Sequence, residues 1–380
     1  MAPRRPHLTL GVEEEYLLVE RATGALAISP PDGFMAACQE ALGPQVTHEL
    51  LQAQVEIGTS VCPDVASVRR ELAGLRRTIA DCAAEFDLAL LAVSTHPAAS
   101  WREQRSVDLD RYRLLTEDFQ ALARRLVVCG MHIHAGVEDD ELRIDLMNQT
   151  AYFLPHLLAL STSSPFWEGQ DTGLKAFRPT IFGDLPRSGI PEPFESFADY
   201  QRLLAVMAET GICDDPTKIW WDIRPSARHP TLEMRICDVC TRLEDAITIA
   251  AIYQSLLALL FRLRSQNQTW RRYPLVLLQE NKWRAQRYGT SGTLADLGRR
   301  ALVPFGDLMA ELVDLLRDEA RELGCLAELE RVPEIVATGT SADHQLRVHH
   351  AAIAAGADAA EARRAVVDWL IVASLEDVPA

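Results

Sequence analysis

Positive charge is in short supply in this chain. Lys and Arg number 38 against 54 Asp and Glu, a formal net charge of −16. No basic run or basic–aromatic stripe offsets the repulsion from a phosphate backbone. That excludes a general nucleic-acid binder and admits a nucleotide only in the company of metal ions. Long apolar runs are missing too: no stretch of about 18 apolar residues occurs, and the start, MAPRRPHLTLGV, has no apolar segment ahead of the first strand-like stretch. The expectation is a cytoplasmic protein that does not span a membrane. The eight cysteines form no disulfide framework. Cys38, Cys82, Cys129 and Cys325 sit in apolar surroundings that suit reduced core thiols. The single C-x-x-C, Cys237 and Cys240, lacks the second pair that a zinc site needs. No Ser–His or Cys–His nucleophile stands out.

What is present is an ordinary globular composition, 48% hydrophobic and 24% charged over 380 residues. Strand-like segments fill residues 7–240 and helical ones residues 241–376, which suits an α+β fold with a mostly antiparallel sheet in a single domain over residues 1–380. The first strand, residues 7–20, turns at Thr23-Gly24 into a short partner over residues 25–29. A helix opens after Asp64, which is placed to cap it. Further helices are expected over residues 139–161, 243–263, 275–288 and 293–323. Residues 163–193, dense in Ser, Gly, Pro and Asp, are too long for an ordinary connection; Phe166, Trp167, Phe177, Ile181 and Phe182 mark them as an ordered substrate loop. The apolar helical final third offers a surface for a homodimer.

The stretch GVEEEYLL, residues 11–18, concentrates acid within a strand. Alternation puts Glu13 and Glu15 on one face and Val12, Glu14 and Tyr16 on the other. Two such carboxylates lie ~7 Å apart and repel by about 2 kcal/mol at an effective dielectric near 20. Three other strands carry the same kind of face, at Gln54/Glu56, His132/His134 and Glu233/Arg235. A sheet with one wet face would show mixed Lys, Thr, Ser and Glu. Carboxylates and imidazoles with one Arg are instead the donors of a hard cation such as Mg²⁺ or Mn²⁺, with an Arg suited to phosphate. A metal–nucleotide site is the leading expectation. A metal-dependent hydrolase, or a nucleotide sensor without turnover, would use similar residues. Glu14, on the far face, is expected to tolerate substitution with little loss of turnover, unlike Glu13 and Glu15.

Seven segments, GVEEEYLL, QVEIGTSVCPD, GMHIHAGVED, SSPFWEGQDTGL, PRSGIPEPF, WWDIRPSARHPTLEMRICD and ENKWRAQRYG, together resemble the bacterial glutamate–cysteine ligase type 2 family of carboxylate–amine ligases, over residues 7–346. The resemblance implies a glutamine-synthetase-like fold whose curved sheet forms a funnel for metal ions and ATP, with helices packed outside it. It implies metal ligation by Glu13, Glu15, Glu56, Glu233 and His132. Glu49 resembles a further ligand, although strict alternation from Glu56 sets it on the opposite face, and His134 falls where related ligases carry other polar residues. Arg235 resembles a phosphate-contacting Arg, with Glu233 beside it in catalysis and Arg224 beside it in nucleotide binding. Arg178, Arg187 and Arg284 are the candidates for gripping a substrate carboxylate, and Asn281 and Arg287 share a helix face with Arg284. The implied reaction is ATP-dependent amide formation between glutamate and cysteine.

Overall fold

The computed structural model describes residues 5–379. Its organising strand is β1, Leu10–Glu20. The other strands of the sheet are β2 (Val46–His48), β3 (Gln54–Gly58), β4 (Leu88–Leu91), β5 (Met131–Gly136), β6 (Ile223–Pro225) and β7 (Thr231–Met234). They form one seven-stranded sheet in the order β6-β7-β5-β1-β3-β2, with β4 also on β1. Every pairing in it is antiparallel. The length of β1 lets it serve three partners. On one edge β5 pairs with residues Leu10 to Glu14 and β4 with Leu17 to Glu20, while β3 covers Glu13 to Leu17 on the other edge.

One face of this sheet is apolar. Val12, Tyr16, Val55, Ile57, Met131, Ile133, Leu232 and Met234 are buried there, in a core continuous with the helices of both halves of the chain. The helix Leu243–Ser265 is buried along nearly its whole length and is tied to backbone of the sheet and of the segment leading into it: the Tyr253 hydroxyl donates to Leu232 O at 3.1 Å and Gln254 Nε2 to Leu8 O at 2.8 Å. Its mean hydropathy of 1.8 and its length would suit a membrane span, but 89% of that stretch is buried inside the protein.

Local chemistry explains where elements start and stop. The Asp64 carboxylate accepts the Ser67 N–H at 2.7 Å and begins the helix Val65–Ala84. The helix expected over residues 139–161 is two, Asp140–Thr150 and Leu154–Ser161, because Pro155 has no N–H to continue the ladder and instead sits in the first turn of a new helix. Residues 293–323 are likewise not one helix. Strands Thr293–Asp296 and Ala301–Pro304 pair first, turned by the Asp296 carboxylate accepting the Gly298 and Arg299 N–H groups at 2.8 Å each, and the helix Phe305–Leu323 follows. The segment 163–193 is ordered. Asp238 accepts the Ser163 N–H at 2.9 Å and the Ser164 hydroxyl at 2.7 Å, and Ser164 Oγ accepts the N–H groups of Phe177 and Arg178.

Among the described residues the apolar face holds one charge pair, and it gives Glu14 a structural role beyond facing away from the site. Glu14 and Arg76 are both fully buried. Arg76 Nε and Nη2 reach the two Glu14 oxygens at 2.8 and 2.7 Å, and the Tyr16 hydroxyl adds a bond at 2.5 Å. The guanidinium also donates to the carbonyls of Thr241 and Cys240, at 2.8 Å each, and of Ser374 at 3.5 Å. Glu14 thus anchors β1 to a helix, to the segment after β7 and to the C-terminal region. Removing one partner leaves a buried, uncompensated charge, so Glu14→Ala is expected to lower the unfolding free energy by about 3–5 kcal/mol. Urea denaturation checks this; a loss below about 0.5 kcal/mol, the range of an indifferent surface change, would contradict it.

Candidate active site

The opposite face of the sheet presents a continuous row of ionisable groups, set by register. Glu15 lies across from Glu56 and Glu56 across from Thr47; on the other edge of β1, Glu13 lies across from His132. His134 in turn lies across from Glu233 and Glu233 across from Arg224. Adjacent strands are about 4.8 Å apart, so opposed side chains lie within reach of one ion. Three overlapping groups have ligand atoms within 4.8 Å of one another: Glu15, Glu49 and Glu56; Glu13, Glu56 and His132; and Glu13, His134 and Glu233. Glu49 joins this row because β2 stops at His48 and β3 starts at Gln54. The strand alternation that set it on the opposite face does not run through the turn between them.

Hydrogen bonds fix most of these side chains. Thr47 Oγ1 donates to Glu56 at 2.8 Å, the Gly130 N–H to Glu15 at 2.8 Å, and the Leu50 N–H to Glu49 at 2.8 Å. Glu233 takes Arg224 Nε at 2.9 Å and Nη2 at 3.2 Å, and also pairs with Arg235 Nη1. His132 Nδ1 is 3.1 Å from Glu13 and 3.3 Å from Arg235 Nη1, and His134 Nδ1 is 2.9 Å from Thr231 Oγ1. Both Nε2 atoms are buried without a hydrogen-bond partner. His134 Nε2 is 3.4 Å from a Glu13 oxygen and 4.0 Å from a Glu233 oxygen, and His132 Nε2 is 4.0 Å from Glu15. Orphaned imidazole nitrogens between carboxylates are what a divalent cation would complete.

The electrostatics diverge along the row. Burial, with Glu13 and Glu15 close by, pushes the Glu56 carboxyl up to about 7. Burial also works against ionised Glu13 and Glu233. The His132 hydrogen bond and the nearby His134 imidazole outweigh it at Glu13, as do Arg235, Arg224 and His134 beside Glu233, so both carboxyls are held below the usual range. Burial and Arg235 lower His132. For His134 burial is outweighed by Glu13 and Glu233, and its imidazole is raised.

The row lines a cavity of about 450 Å³ with Arg224, Arg228, Arg235, Gln45, Thr47, Tyr112, Trp220, Ser226 and His229. Arg178, Arg187 and Arg284 are not in its wall. Arg178 is buried beneath the chain, donating to the carbonyls of Cys237 at 3.2 Å, Arg235 at 3.4 Å and Ile236 at 3.5 Å. Arg187 donates to Lys218 O at 3.3 Å and stacks near Trp220. Arg284 donates to Thr293 O and Oγ1 at 2.8 and 2.5 Å, while Asn281 exchanges two bonds with Ala295. That helix face holds a hairpin and does not reach the cavity. Cys237 and Cys240 are buried, and among the described residues neither joins a group with metal-ligand spacing. Arg228 and His229 were not among the sequence candidates, although both lie inside the motif WWDIRPSARHPTLEMRICD. Tyr112 carries no local signal; it reaches the site through its hydroxyl on His48 O, at 2.8 Å.

With this geometry in view, the model of glutamate–cysteine ligase family 2 matches residues 9–367. A protein of Rhodospirillum rubrum named "Putative glutamate–cysteine ligase 2" is 53% identical over 372 residues, covering 97% of this chain and 96% of that protein. Among solved structures, a bifunctional glutathione synthetase from Pasteurella multocida superposes with a TM-score of 0.70 at 15% identity, over 96% of this chain and 52% of that one. A glutamate–cysteine ligase from Francisella tularensis in complex with AMP gives a TM-score of 0.67 at 15% identity, over 100% of this chain and 93% of that one. At such identities these two establish the α+β, glutamine-synthetase-like fold. Family match and sequence identity establish the rest: the chain belongs to glutamate–cysteine ligase family 2 and is a ligase of the carboxylate–amine class.

Proposed function

We propose that the chain joins glutamate to cysteine through an amide at the expense of ATP, with Mg²⁺ or Mn²⁺ in the carboxylate row. The observation that carries this reading is the row itself: five carboxylates and two imidazoles in three overlapping cation-sized groups, with Arg235 bonded to both Glu233 and His132 among them. Mostly carboxylate donors fit a hard cation, and the two bare Nε2 atoms complete the fit. Divalent ions bound there would neutralise the nucleotide phosphates and the developing charge of phosphoryl transfer. Glu13, Glu15, Glu49, Glu56, Glu233, His132 and His134 are the residues that would hold them.

The substrate carboxylate attacks the γ-phosphoryl group, ADP leaves, and the amine then displaces phosphate from the acyl phosphate. Arg235 would stabilise charge on the transferring group, and Arg224, bonded to Glu233 from its other side, would keep that carboxylate oriented. A carboxylate with two oxygens and about four lone pairs can hold these guanidinium groups and a cation at once. A hydrolase would use the same carboxylates and imidazoles without needing Arg235 in their midst. The acidic balance and the eight buried, unpaired cysteines support a cytoplasmic enzyme that takes metal-escorted small anions in preference to nucleic acid. Exposed Val276, Trp283 and Leu302 in the C-terminal third support a homodimer.

Incubation with Mg-ATP, glutamate and cysteine should release ADP only when both amino acids are present, and Glu233→Gln should lower kcat by about 10²–10³-fold. ADP release indifferent to every acid and amine tried would sink the ligase reading, and unchanged turnover in Glu233→Gln would remove that residue from the chemistry.

Metal binding should depend on pH with a definite sign. Glu56 is raised to about 7 from an ordinary 4.5, so the folded apo protein holds a proton there that the unfolded chain has lost. This contributes stability that is full below pH 4.5 and is lost as pH rises from there through about 7. A cation must displace that proton, and protonated His134 competes in the same direction. Mn²⁺ affinity measured by calorimetry should therefore climb up to about tenfold per pH unit between about 5 and 7 and flatten above. Glu56→Gln should bind more weakly with a shallower slope; a flat wild-type profile would contradict the assignment.

A further inference from the structure

Among the described residues, three arginines line the cavity, and two of them are already committed. Arg224 divides its guanidinium between Glu233 and the carbonyls of Thr217 and Ile219, at 2.9 and 2.5 Å. Arg235 holds Glu233 and His132. The third, Arg228, sits in the turn between β6 and β7, where the N–H groups of Arg228 and His229 both donate to Ser226 Oγ at 3.3 Å. Among the described residues its guanidinium has no carboxylate within ion-pair distance and no hydrogen-bond acceptor; it acts on Asp215 only through space.

A surface Arg without a partner is satisfied by water, and by itself indicates nothing. Its place is what matters here. Ser226, Ala227, Arg228 and His229 all line the cavity. The His229 ring meets His134 edge-on, with centroids 6.3 Å apart. His134 belongs to the group formed with Glu13 and Glu233, so Arg228 stands at that end of the row. Arg228 thus faces the cavity, among the described residues, as a guanidinium that no carboxylate or carbonyl holds.

Both substrates of the proposed reaction bring anionic oxygens beyond those the metal row neutralises. Glutamate has a second carboxylate that takes no part in phosphoryl transfer, and ATP has three phosphates. The three arginines that sequence reasoning offered for such a group are bonded elsewhere. We infer that Arg228 is a binding subsite for an anionic oxygen group of a substrate, a carboxylate or a phosphate, at the outer end of the metal row. The guanidinium fork suits either through paired N–H···O bonds. This inference rests on the ligase reading for the identity of the substrates, although not for the position of the subsite.

Calorimetric titration of the full chain, in the presence of Mg²⁺, with ATP and separately with glutamate, tests it. In Arg228→Ala the affinity for one of the two should fall about tenfold or more, the loss of a charge-assisted pair. Arg228→Lys should recover part of it, and the melting temperature should not move because the residue is exposed. A loss confined to glutamate places a carboxylate at Arg228; a loss confined to ATP places a phosphate. Wild-type affinities for both ligands in Arg228→Ala would overturn the subsite, as would a wild type that binds neither. Because binding is read without turnover, a wild type that binds both and forms no ADP would overturn the ligase reading and leave the subsite standing.

Discussion

Three consecutive glutamates in the middle of a sheet impose the constraint that shapes this molecule. Alternation sends Glu14 into the core and Glu13 and Glu15 to the open face, and positive charge has to meet them on both sides. In the core the answer is Arg76, held by two bonds to Glu14 and by carbonyls from two distant parts of the chain. That geometry satisfies a buried charge pair and makes β1 the point where N-terminal, central and C-terminal segments meet. On the open face the protein supplies less. Among the described residues, Arg224 and Arg235 both pair with Glu233, while Glu13, Glu15 and Glu56 are bonded to imidazole, N–H and hydroxyl groups. The raised Glu56 carboxyl is the electrostatic sign of that deficit.

Structure behind the row keeps it in place. Gly130 gives its N–H to Glu15, and it has to be small: a Cβ there would lie 2.2 Å from Arg178 Nη2. Arg178 in turn sits beneath the carbonyls of Arg235, Ile236 and Cys237. Two members of the active face, Glu15 and Arg235, are thus backed by one buried guanidinium from the ordered 163–193 segment.

Much of this was legible in the residues. Period-two alternation identified Glu13, Glu15, Glu56, His132, His134 and Glu233 as members of one face, because a strand register cannot slip without moving a whole apolar set into water. Where geometry left the strand, alternation lost its power, and Glu49 was set on the opposite face for that reason. Alternation turned Glu14 away from the site but gave no sign of the partner that buries it, which lies 62 residues away. Arg178, Arg187 and Arg284 were chosen by residue type within motifs; whether a guanidinium meets a ligand or a backbone carbonyl is decided by tertiary packing that no local pattern encodes. Hairpin 293–304 was read as helix since its apolar spacing fits both periods, and only the Asp296 turn and Pro304 separate them.

The account turns on divalent cations occupying the open face of β1. Electron paramagnetic resonance of Mn²⁺ titrated into the wild type and into Glu13→Gln tests it most directly, since Glu13 is shared by two of the three groups. The account predicts more than one Mn²⁺ per wild-type chain, close enough to show spin coupling in the presence of ATP, with both coupling and stoichiometry reduced in Glu13→Gln. A wild type that binds no Mn²⁺, or a Glu13→Gln variant indistinguishable from it, would contradict the account.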